Sequence, residues 1–152
     1  MLKKEAVQLF NALNALSKHK GAKFAYAVAK NIAVLKEEID ALNKTIEPTE
    51  KFKAYDAERI ALLKKYAQKD ENKEPVIKDN QFILSDTEGF NAEFEQLQET
   101  YKEALAEMEE QKKGYEELLT EDVTLELTKI KEENLPDTIS VEETFHILSI
   151  IE

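Results

Sequence analysis

Two long segments of the sequence repeat apolar residues at alternating spacings of three and four. They cover residues 23–46 and residues 87–119. A heptad pattern of this kind predicts helices whose apolar edge packs against a partner helix. Only three Gly and three Pro interrupt the 152 residues, so long regular elements are favoured over many short strands. We therefore predict that the two segments pair as an antiparallel coiled-coil hairpin.

Three shorter helices are predicted over residues 4–17, 49–68 and 140–151, where apolar residues also recur at helical spacing. Ser140 followed by Glu143 has the form of a capping box and marks the start of the last helix. The apolar side of that last helix is predicted to consist of Val141, Phe145, Leu148 and Ile151.

Three other segments have the pattern of β-strands. Residues 76–78 and 81–85 flank Asp79-Asn80, which is typical of a two-residue hairpin turn. Residues 123–131 alternate apolar and polar side chains, as a half-buried strand does. Because two strands alone are marginally stable in water, we predict that this segment adds a third strand to the hairpin.

The predicted architecture is a mainly α (α+β) single domain over residues 1–152. It combines an antiparallel long-helix coiled-coil hairpin, a small three-stranded antiparallel sheet and short terminal helices. The absence of Cys excludes disulfides and thiolate metal sites and favours an intracellular protein. No apolar run approaches the roughly 18 residues of a membrane span, and no signal-peptide pattern is present. We expect a cytoplasmic protein that does not engage a membrane.

Charge is distributed unevenly along the chain. Residues 1–36 contain seven Lys and one Glu, a net charge of +6, so residues 37–152 carry −17 of a total of −11. This asymmetry indicates either that basic and acidic helices neutralise each other or that a basic patch faces an anion.

The stretch GAKFAYAVAKN, residues 21–31, places lysines beside the apolar edge of the first long helix. The helical period puts Lys23 and Lys30 on a different side from that edge, and the helix start favours an anion. A phosphorylated small molecule could be held there, with a tyrosine stacking on its base. The candidate ligand-binding residues are Lys20, Lys23, Tyr26, Lys30, Asn31 and Tyr66.

The alternative interpretation of this stretch is structural. In it, Lys23 and Lys30 pair with glutamates of the long acidic helix, and Tyr26 packs at its rim. Both interpretations are compatible with the sequence.

No motif for catalysis, metal binding or cofactor binding is present. The two histidines have no partner at metal-ligand spacing, and nucleophile-elbow, dinucleotide and P-loop motifs are absent. Between residues 86 and 122, 13 acidic residues against three Lys are typical of a solvated face. A single arginine and the acidic charge of residues 37–152 disfavour duplex nucleic acid. We therefore predict a protein that is not an enzyme, with no catalytic residues, metal or cofactor.

Four stretches together resemble a family of small bacteriophage and prophage proteins of unknown function. They are KFAYAVAKN, YAQKDENKEPV, EELLTEDVTLELTKI and SVEETFHILSIIE, and they span most of the chain. The family pattern has Gly at the position of Lys73. The resemblance implies a phage genome and expression in the cytoplasm of a bacterial host cell, and it transfers no active site.

These observations support two functional hypotheses of different classes. The first is a non-enzymatic phage accessory protein of the counter-defence type, which binds and sequesters a host protein or a phosphorylated small molecule such as a nucleotide signal. The second is a coiled-coil assembly or chaperone-like protein in phage morphogenesis. A homo-oligomer is expected. A nucleotide hydrolase would need a pair of desolvated carboxylates, and the sequence indicates none.

Overall fold

The computed structural model describes all residues, 1–152, and is mainly helical with one small antiparallel sheet, as predicted. Two short 3-10 helices, η1 (Glu132–Asn134) and η2 (Leu148–Ile150), accompany the α-helices and strands. The elements are α1 (Lys3–Leu16), α2 (Ala22–Thr45), α3 (Glu50–Tyr66), β1 (Ile77–Lys78), β2 (Gln81–Phe82), α4 (Thr87–Thr100), α5 (Lys102–Leu119) and α6 (Val141–His146).

The chain divides into two compact units. The first comprises Met1–Ile46 and Lys113–Glu152, and the second comprises Glu47–Lys112. The first unit contains the helix pair α1 and α2, and the second contains the pair α3 and α4. That residues 1–152 form a single domain stays a prediction.

The core of the first unit lies between α1 and α2. The five-residue connection 17–21 brings the two helices together. The predicted coiled-coil pairing of residues 23–46 with residues 87–119 is not confirmed, because α1 fills the apolar edge of the N-terminal half of α2. The buried cluster consists of Ala6, Leu9, Leu13, Leu16, Phe24, Ala27, Val28, Leu35, Ile130, Ile147 and Ile150.

The predicted helix over residues 87–119 is divided into α4 and α5 at Tyr101, whose φ of −106° and ψ of 20° depart from helical values. Just before this point the Thr100 hydroxyl donates to the Gln96 carbonyl at 2.9 Å. Such side-chain bonds to the preceding turn weaken and bend helices. The Tyr101 hydroxyl donates to Glu58 of α3 at 2.6 Å, so the residue at the break is hydrogen-bonded to the neighbouring helix.

The hairpin of β1 and β2 is confirmed around Asp79-Asn80. Asp79 and Asn80 have φ of 51° and 61°, the positive values that a type I′ turn requires. Lys73 also has a positive φ, 64°. Glycine is favoured at such a left-handed position because it has no side chain to strain the backbone.

The predicted third strand over residues 123–131 is not confirmed, and the sheet has two strands. The segment is irregular because three unrelated groups take up its backbone N–H groups. Val123 donates to Met1 O at 2.8 Å and Ile130 donates to Ile150 O at 2.8 Å, whereas Thr128 donates to a side chain, as described below. Its alternating apolar residues nevertheless pack against the core, as the pattern predicted.

The chain ends in a helix shorter than the predicted one. The capping box is confirmed, since the Ser140 hydroxyl accepts from the Glu143 N–H at 3.1 Å and Glu143 accepts from the Ser140 N–H at 2.9 Å. However, α6 ends at His146 and continues as η2, so the buried residues are Ile147 and Ile150. Of the predicted apolar side, Ile151 packs against the core, whereas Val141 (89%), Phe145 (70%) and Leu148 (54%) are exposed.

None of the helices combines the length and the apolar composition that crossing a bilayer requires.

Candidate functional site

The N-terminal part of α2 and residues 128–134 border a cleft of about 280 Å³ in the first unit, which we call the α2 cleft. Lys23 and Tyr26 line it from α2, and Glu152 lines it from the end of the chain. The cleft therefore contains two of the six predicted ligand-binding residues.

Asn31 determines how residues 128–134 lie beside α2. The Thr128 N–H donates to Asn31 Oδ1 at 2.7 Å, and Asn31 Nδ2 donates to the Thr128 carbonyl at 2.9 Å. The Asn31 side chain is fully buried. The Asn31 amide therefore bonds to both backbone groups of Thr128, as a neighbouring strand would in a sheet. Asn31 is a structural residue and not a ligand contact.

Two further lysines, Lys129 and Lys131, lie on either side of Ile130 and line the cleft. Ile130 is buried and bonds to residues 150 and 152 through its backbone. Because side chains alternate along an extended chain, Lys129 and Lys131 point away from the core, and both are exposed. The Lys129 ammonium donates to the Ser149 carbonyl at 2.8 Å, which fixes its position without neutralising its charge.

The charges of the α2 cleft are not neutralised by direct contact. Lys23, Lys129 and Lys131 face Glu133 and Glu152 within the same cleft, yet none of the five takes part in an ion pair within 4.0 Å. The Tyr26 ring is 68% exposed beside them. The cleft thus offers ammonium groups that have no ion-pair partner, a ring face and two carboxylates.

The start of α2 adds to the positive side of this arrangement. The helix begins after Gly21, no side chain caps its first N–H groups, and its first turn contains no acidic residue. The unsatisfied N–H groups and the helix dipole favour an anion at this end. Lys23 lies in this first turn.

The other predicted residues lie outside the cleft lining. Lys20 and Lys30 are exposed and have no ion pair. Tyr66 belongs to the second unit, where its hydroxyl donates to Glu93 at 2.6 Å while Lys65 bonds to the same oxygen at 2.5 Å. The hydrogen bond to Glu93 raises the pKa of Tyr66. Tyr66 is not among the residues that line the α2 cleft.

Only some lysines of residues 1–36 form ion pairs with glutamates of the chain, as the alternative interpretation requires. Lys3 pairs with Glu121 at 2.9 Å and lies 3.7 Å from Glu38, and Lys18 pairs with Glu143 at 3.0 Å. The predicted ion pairs of Lys23 and Lys30 with acidic-helix glutamates are absent. The remaining lysines of residues 1–36 are exposed and unpaired, namely Lys4, Lys20, Lys23, Lys30 and Lys36.

Four residues of the cleft were not predicted from the sequence, namely Lys129, Lys131, Glu133 and Asn134. The signal was present in TKIK, where two lysines flank one isoleucine within an otherwise acidic half of the chain. That they meet Lys23 depends on a contact between residues 97 positions apart, which periodicity does not reveal.

Glu143 fastens α6 to the connection between α1 and α2. One of its oxygens accepts from Lys18 at 3.0 Å and lies 3.2 Å from His19 Nε2, while the other accepts from Ser140. Hydrogen bonds hold the pKa of the Glu143 carboxyl well below its ordinary value of 4.5. The bond from the Ser140 N–H has the largest effect, and those from Lys18 and His19 have smaller ones. This cluster stabilises the first unit by linking α6 to the α1–α2 connection.

The lowered pKa of Glu143 predicts how stability depends on pH. An ionised group with a lowered pKa stabilises the folded state above its unfolded pKa, and this stabilisation is lost as the pH falls. We expect Glu143→Gln to be less stable than the wild type at neutral pH, with a difference that shrinks below about pH 4.5. Thermal unfolding followed by circular dichroism across this range measures the difference.

Glu142→Gln is the matched control, because Glu142 is exposed and has no ion pair. We expect that control to follow the wild type throughout. If Glu143→Gln is less stable than the wild type by the same amount at every pH, the ionised carboxylate is not what stabilises the fold.

No group of three or more His, Asp or Glu side chains is arranged to hold a metal ion. Comparison of the chain with protein-family models, with curated proteins and with solved structures yields no match.

Proposed function

We propose that the protein is a non-enzymatic binding protein that sequesters a nucleotide, or a similar phosphorylated small molecule, in the α2 cleft. The observation behind this proposal is that Lys23, Lys129 and Lys131 are exposed and unpaired around the exposed ring of Tyr26. In the phage setting that the sequence resembles, such a protein acts in counter-defence by removing a nucleotide signal from the host cytoplasm.

The positive side of the cleft suits a phosphate. Ammonium groups and uncapped helix N–H groups both form charge-assisted hydrogen bonds with phosphate oxygens. Lys23 provides the first kind of group and the start of α2 provides the second.

The remaining lining suits a base. An exposed aromatic ring stacks on any nucleobase, and the Glu133 carboxylate can accept from an exocyclic amino group while Asn134 can donate to a ring nitrogen or carbonyl. A cleft of about 280 Å³ lies just below the usual range of ligand-pocket volumes, which favours a single nucleotide over a longer chain.

The proposal predicts that reversing one charge weakens binding. We expect Lys23→Glu to bind a nucleoside monophosphate at least about 10-fold more weakly than the wild type, because a charge-assisted hydrogen bond is lost and a repulsion is added. Tyr26→Ala is expected to weaken binding about 5–100-fold through lost stacking. Titration calorimetry with adenosine and guanosine monophosphates and their cyclic forms, at near-physiological salt, measures both.

Lys36→Glu is the matched control, because it makes the same charge change at an exposed, unpaired lysine farther along α2. It is expected to stay within about twofold of the wild type, since distant charges are screened by salt. Equal weakening by Lys23→Glu and Lys36→Glu indicates a general charge effect and contradicts a site. The proposal is also wrong if the wild type retains neither these nucleotides nor, in pull-down from bacterial lysate, any phosphorylated small molecule.

A further inference from the structure

The wall of the α2 cleft formed by residues 128–134 contains two neighbouring polar side chains that bond to nothing in the protein. Glu133 is exposed and takes part in no ion pair or hydrogen bond. Asn134 is half-buried, and its amide forms no hydrogen bond. A carboxylate and an amide are therefore both available to a ligand at adjacent positions of η1.

The backbone that carries these two side chains is fixed by hydrogen bonds. The Glu132 N–H donates to the Glu152 carbonyl at 3.1 Å, and the Asn134 N–H donates to the Lys131 carbonyl at 2.9 Å. A site whose backbone is already ordered loses little conformational freedom when a ligand binds. Glu133 and Asn134 are thus suited to distinguish one ligand from another.

The hydrogen-bonding groups of this wall match one nucleobase. An ionised carboxylate only accepts, whereas an amide nitrogen donates. Guanine presents two adjacent donors on its Watson–Crick edge, N1–H and the 2-amino group, beside the acceptor O6. Adenine and cytosine each present a ring-nitrogen acceptor beside their single amino group, so a carboxylate that accepts from that group also meets a lone pair. Uracil has only one donor, between two carbonyl oxygens.

We propose that the α2 cleft selects guanine nucleotides, with Glu133 accepting from N1–H and the 2-amino group of the base while Asn134 donates to O6. This inference rests on the proposed function, in which Lys23 binds the phosphate and Tyr26 stacks on the base. Neither of those two residues distinguishes nucleotides, because the phosphate is common to all of them and an aromatic ring stacks on every base. Glu133 is therefore the residue that determines the base.

Titration calorimetry of the full chain with four nucleotides tests the proposal, namely the monophosphates of guanosine, inosine, adenosine and cytidine. Guanosine monophosphate is expected to bind about 5–150-fold more tightly than adenosine or cytidine monophosphate, which is the discrimination that one good bidentate base contact provides. Inosine monophosphate keeps N1–H and O6 but lacks the 2-amino group. We expect its affinity to lie between those of the guanosine and adenosine compounds.

Glu133→Ala is expected to reduce the preference for guanosine over adenosine monophosphate to within about threefold, because the amide of Asn134 both donates and accepts and so serves either purine. The ratio of the two affinities is unaffected by the lost charge, since both nucleotides carry the same phosphate. Glu132→Ala is the matched control. Glu132 is exposed on the same turn and does not line the cleft, so this variant is expected to keep the wild-type preference.

The outcomes separate this inference from the proposed function. Equal binding of all four nucleotides leaves the proposed function intact and overturns the role of Glu133. The inference is also overturned if Glu133→Ala keeps the wild-type preference, or if Glu132→Ala loses it to the same extent. If none of the four nucleotides binds, the inference is wrong, and the pull-down from bacterial lysate decides whether the proposed function is wrong with it.

Discussion

Phe24→Ala is expected to lower the free energy of unfolding by about 3–5 kcal/mol, the range that removing a buried phenylalanine typically costs. Phe24 is 1% exposed and is the largest fully buried side chain of the first unit. It packs in the cluster that joins α1 to α2, with the His19 ring edge-on at 6.4 Å. Urea unfolding followed by far-ultraviolet circular dichroism measures the change.

Tyr26→Ala is the control for this experiment, because it removes an aromatic ring two residues away on the same helix. The Tyr26 ring is exposed, so we expect a change within about 0.5 kcal/mol, as for most surface substitutions. Comparable losses for the two variants mean that α2 packs against α1 through a different face and that the described core is wrong.

Asn31→Leu is expected to lower the free energy of unfolding by about 2–4 kcal/mol, because the partly buried backbone N–H and carbonyl of Thr128 both lose the fully buried side chain that bonds to them. Leucine branches at the same carbon as asparagine but carries two methyl groups in place of the amide, so it forms no hydrogen bond and is bulkier. The same substitution is expected to weaken nucleotide binding, since Thr128 anchors the segment that brings Lys129 and Lys131 to the α2 cleft. Unfolding and calorimetry measure the two effects separately.

Asn43→Leu is the matched control, because Asn43 is an exposed asparagine of the same helix whose side chain makes no hydrogen bond. Its stability is expected to remain within about 0.5 kcal/mol of the wild type. If Asn31→Leu is equally mild, then water or a rearranged backbone satisfies Thr128, and Asn31 does not position the cleft.

Local structure was largely predictable from the sequence. The first three helices begin and end within two residues of their predicted limits, since apolar periodicity and punctuation by Gly21 and Pro48 are local signals. The Asp79-Asn80 turn and the Ser140–Glu143 capping box were predicted correctly for the same reason, because each depends on residues at most three positions apart.

The candidate site was predictable only in part. Exposure of Lys23 and Tyr26 follows from their helical position relative to Phe24 and Val28. The roles of Asn31 and Tyr66 were not foreseeable, because the side chains that could bind a ligand bind Thr128 and Glu93 instead. Both partners are distant in sequence.

The helical segments, the position of the hairpin turn and the order of the basic and acidic segments all follow from local sequence patterns. The packing of α1 against the apolar edge of α2, the three separate partners of residues 123–131 and the exposure of Val141, Phe145 and Leu148 do not follow from such patterns. An apolar edge or an unpaired N–H requires burial or a hydrogen bond, but it does not specify which part of the chain provides it. That choice also left Lys23 free and placed Lys129 and Lys131 beside it.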